Sequence, residues 1–178
     1  MTRPRLPGDP PVSKSRMIRV DHAGEYGAAR IYAGQLAVLR DGAAAEQICH
    51  MRNQEQRHLD TFNALIADHR VRPTALLPFW HLAGFALGAV TAALGEKAAM
   101  ACTVAVEETI DDHYSAQLED LGDTEPALRE TLEKFRTEER EHRDIGLANG
   151  AEQAPGYRLL SAAIKAGCRV AIKVSERV

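Results

Sequence analysis

Two short stretches of this chain carry residues that can hold metal ions at helical spacing. They are Glu55-Gln56-Arg57-His58 and Glu139-Arg140-Glu141-His142, each a Glu-x-x-His. On a helix, positions i and i+3 lie one above the other, so each stretch aims a carboxylate and an imidazole at the same point. A further glutamate stands upstream of each stretch, Glu25 before the first and Glu107 before the second, at nearly matched distances. The set Glu25, Glu55, His58, Glu107, Glu139 and His142 therefore reads as a two-fold repeat of a helix–turn–helix unit. Folded into a four-helix bundle, the repeat brings four carboxylates and two imidazoles to one place.

A lone Glu-x-x-His is weak evidence, since most such pairs are surface neighbours on a helix. Two of them, each with an inward glutamate upstream, make a different case. Four ionised carboxylates converging in a core repel one another and lose their water. Either some hold protons or cations sit among them. Two ferrous ions cancel the charge of four glutamates. Glutamates can bridge two metals, and one imidazole per metal leaves open positions for O2. Mixed nitrogen and oxygen ligands suit iron or manganese better than magnesium, calcium or structural zinc. A ligand set of this kind defines the ferritin-like di-iron carboxylate bundles. Metal-bound histidines usually donate their second N–H to a carboxylate. Asp21 and Asp111, each one turn from a ligand glutamate, are the candidate acceptors. Tyr114, two turns beyond Glu107, is a candidate for lining the cavity. For all three, an ordinary satisfied position in a polar part of the core is an equal reading. His22, His50, His69, His81 and His113 have no matched partners and read as ordinary histidines. No residue outside the ligand set is assigned a catalytic role.

The elements that must position these groups follow from apolar periodicity. A first helix is expected from about Arg16 to about Leu39, with Ala28, Ala29, Tyr32 and Leu36 on the stripe that also holds Glu25. Asp41-Gly42 closes it, and a second helix runs from about Ala43 to His69. In that helix two polar residues, Glu55 and His58, interrupt an otherwise apolar face of Ile48, Met51, Leu59 and Phe62. A helix over Glu96–Leu121 places Glu107 inward and Glu108 to the side. The next begins after Asp123 or Thr124 as N-cap and runs to about Ala148, with Leu128, Leu132, Phe135, Glu139 and His142 on its face. A last helix spans Tyr157 to about Val174. One side of it is apolar, and it carries Arg158, Lys165, Arg169, Lys173 and Arg177. Those cations either rest on anionic lipid or form a plain solvated face.

Between the two helix pairs, residues 73–95 contain no Asp, Glu, Lys or Arg. The stretch is long enough to reach across a bilayer, but Pro78, His81 and three glycines argue against a simple span. The favoured reading is a helix half-sunk in a membrane interface, with Phe79, Trp80, Leu82 and Phe85 against lipid or lining a substrate groove. The competing reading is a fifth helix packed on the bundle, with Gly84 and Gly88 permitting close approach. The fold class is thus all-α: a ferritin-like four-helix bundle with an extra apolar interfacial helix and a C-terminal helix. Residues 1–15, with four prolines, form a tail without the apolar core of a secretory signal, and 16–178 form a single domain. Three cysteines with no C-x-x-C disfavour a disulfide framework or a rubredoxin-like site. A net charge of −3 offers no case for nucleic-acid binding.

Several stretches go beyond the ligands. RVDHAGEYGAARIYAGQ, VRPTALLPFWHLAGFALGA, MACTVAVEETI, EEREHRDIGL and AGCRVAIKVSERV resemble the demethoxyubiquinone hydroxylases of ubiquinone biosynthesis (the Coq7/CLK-1 family). The resemblance covers nearly the whole chain from Met17 onward. It implies a di-iron monooxygenase at a membrane surface, with ligands on the same six residues. It also implies hydroxylation of the demethoxyubiquinol ring by O2, two irons per chain, and NADH as external reductant. A polyisoprenoid quinone substrate and a Coq9-like lipid-binding partner come with the family. So does a location on the cytoplasmic face of the bacterial inner membrane or the matrix face of the mitochondrial one. The rivals are a ferritin-type ferroxidase or peroxidase, which has no use for the apolar stretch, and a non-catalytic lipid-binding bundle, which needs no metal.

Overall fold

The computed structural model describes residues 13–178. Of the expected tail over residues 1–15, residues 1–12 lie outside them, while Ser13 caps the first helix and 14–15 belong to it. The Ser13 hydroxyl accepts from the Arg16 backbone N–H and starts that helix two residues earlier than periodicity suggests. Six α-helices follow: α1 (Lys14–Val38), α2 (Ala43–Asp68), α3 (Leu77–Ala93), α4 (Glu96–Leu121), α5 (Pro126–Ala148) and α6 (Tyr157–Ser175), with a 3-10 turn at Ala151–Gln153. No strand occurs among the described residues. The α5 boundary differs in its cap. Glu125 precedes the helix with φ 53° and no side-chain cap, so neither Asp123 nor Thr124 holds that place. Lys14 on α1 pins the Glu125 carboxylate at 2.6 Å.

Short turns make α1–α2 and α4–α5 antiparallel hairpins, and the two hairpins form the bundle. The mid-helix ligand candidates then separate two apolar clusters of the bundle. Ile48, Met51, Met100 and Val104 fill one end; Met17, Phe62, Leu118, Leu132 and Phe135 fill the other. The two outer helices repeat the same logic, for α3 packs along α1 and α6 along α4.

The α1–α3 crossing depends on glycine. A Cβ on Gly88 would sit 1.9 Å from the Ile31 carbonyl oxygen, and one on Gly34 2.1 Å from that of Phe85. The helices therefore touch backbone to backbone, as the packed-helix reading requires. The outer face of α3 nevertheless stays apolar and exposed at Phe79, Leu82, Val90 and Leu94. No helix among the described residues is long and apolar enough to cross a membrane. The apolar stretch thus combines features of both readings, a helix packed on the bundle and an uncovered greasy face.

Candidate metal centre

All six expected ligands converge. Glu25, Glu55, His58 and Glu139 offer ligand atoms within 4.8 Å of one another, and so do Glu55, Glu107, Glu139 and His142. Glu55 and Glu139 belong to both groups. The geometry is that of two adjacent positions sharing two carboxylates, each completed by its own glutamate and histidine. No glutamate of the four is more than 3 % exposed, so water does not solvate their charge.

The orphaned atoms indicate what the site would hold. Buried oxygens of Glu25, Glu55, Glu107 and Glu139, with Nδ1 of His58 and His142, have no hydrogen-bond partner. His58 Nδ1 lies 3.1 Å from a Glu139 oxygen and 3.3 Å from one of Glu25. His142 Nδ1 lies 3.1 Å from Glu55 and 3.2 Å from Glu139. These are close approaches without hydrogen-bond alignment. The reason is on the far side of each ring: His58 Nε2 donates to Glu138 at 2.6 Å, and His142 Nε2 donates to Gln54 at 3.0 Å. With the proton on Nε2, each Nδ1 presents a lone pair to the carboxylates. Lone pairs facing lone pairs in a dry core is a donor set suited to cations.

Without a cation, protons take over. Burial and then the Glu139 charge push Glu55 well above the carboxylate range, and burial with Glu139 and Glu55 does the same to Glu107. Burial works against charging the histidines, but Glu139 and Glu25 hold His58 up at about 12. Glu139 and Glu55 likewise hold His142 at about 11. Glu139, against the effect of its burial, is drawn down to about 2 by His142 and His58.

The outer contacts differ from expectation. Asp21 accepts from His113 and Gln117 rather than from a ligand histidine, and burial raises its pKa. Asp111 is turned outward between Arg136 (2.6 Å) and Arg140 (2.9 Å); burial opposes its charge, but the two guanidiniums hold it low. Both carboxylates are thus taken up by partners other than the candidate ligand histidines. Tyr114 does stand at the site, and its hydroxyl donates to Glu25 on α1 rather than to anything on its own helix. Tyr32, read from periodicity as a plain apolar position, donates to Glu107 at 2.6 Å. The signal that could have found these residues is the repeat. Tyr32 and Tyr114 each follow a ligand glutamate by two turns, and Gln54 and Glu138 each immediately precede a shared glutamate. Of the other histidines, His22 meets Asn63 and His81 meets Tyr26. Glu108 points aside to Lys165.

Beside the centre lies an apolar cleft of about 460 Å³ between α1, α3, α4 and α6. Gly24 and Ala28, flanking Glu25, and Val106 and Ile110, flanking Glu107, form its inner wall. Trp80 and Ser175 close one side, joined by a 3.1 Å hydrogen bond. The four apolar candidates on α3 thus divide. Trp80 faces the cleft, Phe79 and Leu82 are exposed, and Phe85 is half-buried under the Arg30 guanidinium.

A helical bundle in which paired Glu-x-x-His motifs and two further glutamates meet in the core has the ferritin-like fold, with two buried carboxylate–histidine groups that could hold metal ions. Residues 13–175 match the model of a family described as "Ubiquinone biosynthesis protein COQ7", and the chain belongs to that family. It is 62% identical over 177 residues to a 3-demethoxyubiquinol 3-hydroxylase of Rhodospirillum rubrum, covering 98% of this chain and 84% of that one. It is 56% identical over 167 residues to a human mitochondrial protein named NADPH-dependent 3-demethoxyubiquinone 3-hydroxylase, covering 92% and 77%. The yeast 5-demethoxyubiquinone hydroxylase is 42% identical over 180 residues, covering 92% and 77%.

Proposed function

We propose that the chain is a di-iron monooxygenase that hydroxylates the ring of demethoxyubiquinol in ubiquinone biosynthesis, working as one domain over residues 16–178. The observation that carries this reading is the pair of ligand groups sharing Glu55 and Glu139 beside an apolar cleft. Glu25 and His58 would complete one iron position, Glu107 and His142 the other. Bound there, two irons would supply the reductive activation of O2 that ring hydroxylation needs.

The protein's own residues do the rest. The four carboxylates would neutralise two divalent cations held there. Tyr114 and Tyr32 fix the outer glutamates, and Glu138 and Gln54 fix the imidazoles with Nδ1 inward. The cleft excludes water and lets an aromatic ring lie beside Glu25 and Glu107 while an isoprenoid tail runs outward between α3 and α6. One oxygen atom enters the ring, the other leaves as water, and two electrons come from an external reductant. NADH is the expected donor; the human and bovine relatives are named for NADPH. A ferroxidase has no use for the lipid-sized cleft, and a purely lipid-binding bundle has no use for the buried ligands.

The exposed faces support attachment to a membrane surface. Phe79, Leu82, Val90 and Leu94 on α3 and Leu159, Val170 and Val174 on α6 are uncovered, with Arg158, Arg169 and Lys173 beside the latter. The same face is where a Coq9-like lipid-binding partner would dock. The site of action is then the cytoplasmic face of a bacterial inner membrane, or the matrix face of a mitochondrial one.

The test is purified protein analysed for iron, then assayed for O2-dependent conversion of a short-chain demethoxyquinol with NADH or NADPH. Two irons per chain and ring-hydroxylated product are expected. Iron-replete protein that consumes neither quinol nor O2 sinks the reading.

A further inference from the structure

The two metal positions have the same ligand types, yet the groups behind them differ. His58 leans on a carboxylate, Glu138, at 2.6 Å, whereas His142 leans on a neutral amide, Gln54, at 3.0 Å. The arrangement is crossed. Glu138 sits on α5 and holds the histidine of α2; Gln54 sits on α2 and holds the histidine of α5. Each acceptor immediately precedes a shared glutamate, so the two acceptors correspond in place and differ in charge. The rings differ again in their neighbours. His58 stacks on Phe135 with centroids 3.9 Å apart, while His142 meets Tyr32 edge-on at 6.1 Å.

We propose that Glu138 and Gln54 are positioning residues that make the two metal positions unequal, so that the position of Glu25 and His58 binds its cation first and more tightly. The reasoning is electrostatic. A carboxylate accepting from Nε2–H makes the imidazole a stronger donor at Nδ1 and adds negative charge close to the cation. A neutral amide fixes the same tautomer and orientation without that charge. Stacking on Phe135 further restricts the His58 ring, so less freedom is lost on coordination. Outer partners of metal-bound histidines are typically worth about 10–100-fold in metal affinity. An exchange of charge for amide should fall at the lower end of that range.

This inference rests on the metal centre proposed above, and the experiment separates their failures. Metal-depleted full-length protein is titrated anaerobically with Fe²⁺ by calorimetry, and samples with one equivalent of ⁵⁷Fe are read by Mössbauer spectroscopy. The parent protein should show a tight and a weaker step, and one equivalent should give a single dominant quadrupole doublet. Glu138→Gln should weaken the tight step about tenfold or more and split the one-equivalent spectrum into two doublets. Gln54→Ala should weaken the second step only. The double exchange Q54E/E138Q should restore the tight step, a recovery that structural damage cannot produce. Circular dichroism and melting of each variant establish that it folds. A tight step within twofold of the parent in Glu138→Gln, or equal loss of that step in Gln54→Ala, overturns the inequality while leaving the centre intact. A parent protein that takes up no iron overturns both.

Discussion

The two halves of the molecule, α1–α2–α3 and α4–α5–α6, follow one plan inside and differ outside. Each supplies a glutamate from its first helix and a Glu-x-x-His from its second, and each lays its third helix along its first. Inside, the correspondence is close. Tyr114 serves Glu25 as Tyr32 serves Glu107, each hydroxyl crossing to the other half. Outside it fails. The third helix α3 carries no charge and meets α1 through glycine backbone, while α6 carries several cations and packs through side chains such as Ile164. The difference shows where physics constrains sequence. A buried, charge-balanced cluster tolerates few exchanges, because each orphaned carboxylate in a dry core is costly. A helix that only has to cover an apolar wall can do so in more than one way.

The largest effect expected tests the inner correspondence. Glu55→Ala and Glu139→Ala each remove a carboxylate shared by both positions and should abolish turnover and iron loading while keeping helicity. Iron analysis, circular dichroism and the hydroxylation assay check this. A fully active Glu139→Ala protein breaks the two-fold centre.

The cluster should also couple stability to pH. In the metal-free fold Glu55 and Glu107 lie well above their ordinary value of 4.5, and His58 and His142 reach about 12 and about 11 from 6.5. The folded form thus keeps protons that the unfolded chain releases. Their stabilisation is complete below the unfolded values and is lost as pH rises toward the folded ones. Glu139, drawn down to about 2, acts oppositely, and its contribution fades only as pH falls below 4.5. Metal-free protein should therefore lose stability between pH 6 and pH 8. Fe²⁺ replaces those protons, so the rise in Tm on anaerobic iron addition should be larger at pH 8 than at pH 6. A shift that is absent, or larger at pH 6, speaks against one shared site.

A pair of glycine substitutions sharpens the outer contrast. Gly88→Ala drives a methyl into the Ile31 carbonyl and should cost about 1–3 kcal/mol or more by denaturant unfolding. Gly167→Ala on α6 meets nothing within 4 Å and should be neutral or stabilise by up to about 1 kcal/mol. Equal losses at the two positions remove the distinction between the third helices. The smallest effect concerns the surface. Changing Phe79 and Leu82 together to Ser should weaken flotation with anionic vesicles and leave the free energy of unfolding within about 0.5 kcal/mol of the parent's, because both side chains are exposed. Unchanged flotation argues against α3 as the membrane-facing helix.

Much of this protein is determined by sequence alone. Helical period and repetition suffice for five of the six helices of the described residues, most of their ends to within two residues, and for six candidate ligand residues, while α3 shows only as an uncharged run. The ligands stand out because charged residues break an apolar stripe at the same register twice. What the sequence could not decide is which residue of one helix meets which residue of another. Asp21 and Asp111 have the right chemistry one turn from a ligand, yet they face His113 and a pair of arginines. The acceptors behind the ligand histidines come from the opposite hairpin, at Gln54 and Glu138. The division of α3 between Trp80 in the cleft and Phe79 at the surface is of the same kind, for composition marks the whole run as apolar and only the crossing with α1 assigns its faces. Periodicity describes a helix relative to its own axis. The rotation and offset of one helix against its neighbour are settled by packing, here by the backbone contact at Gly88 and the crossed hydrogen bonds of the core.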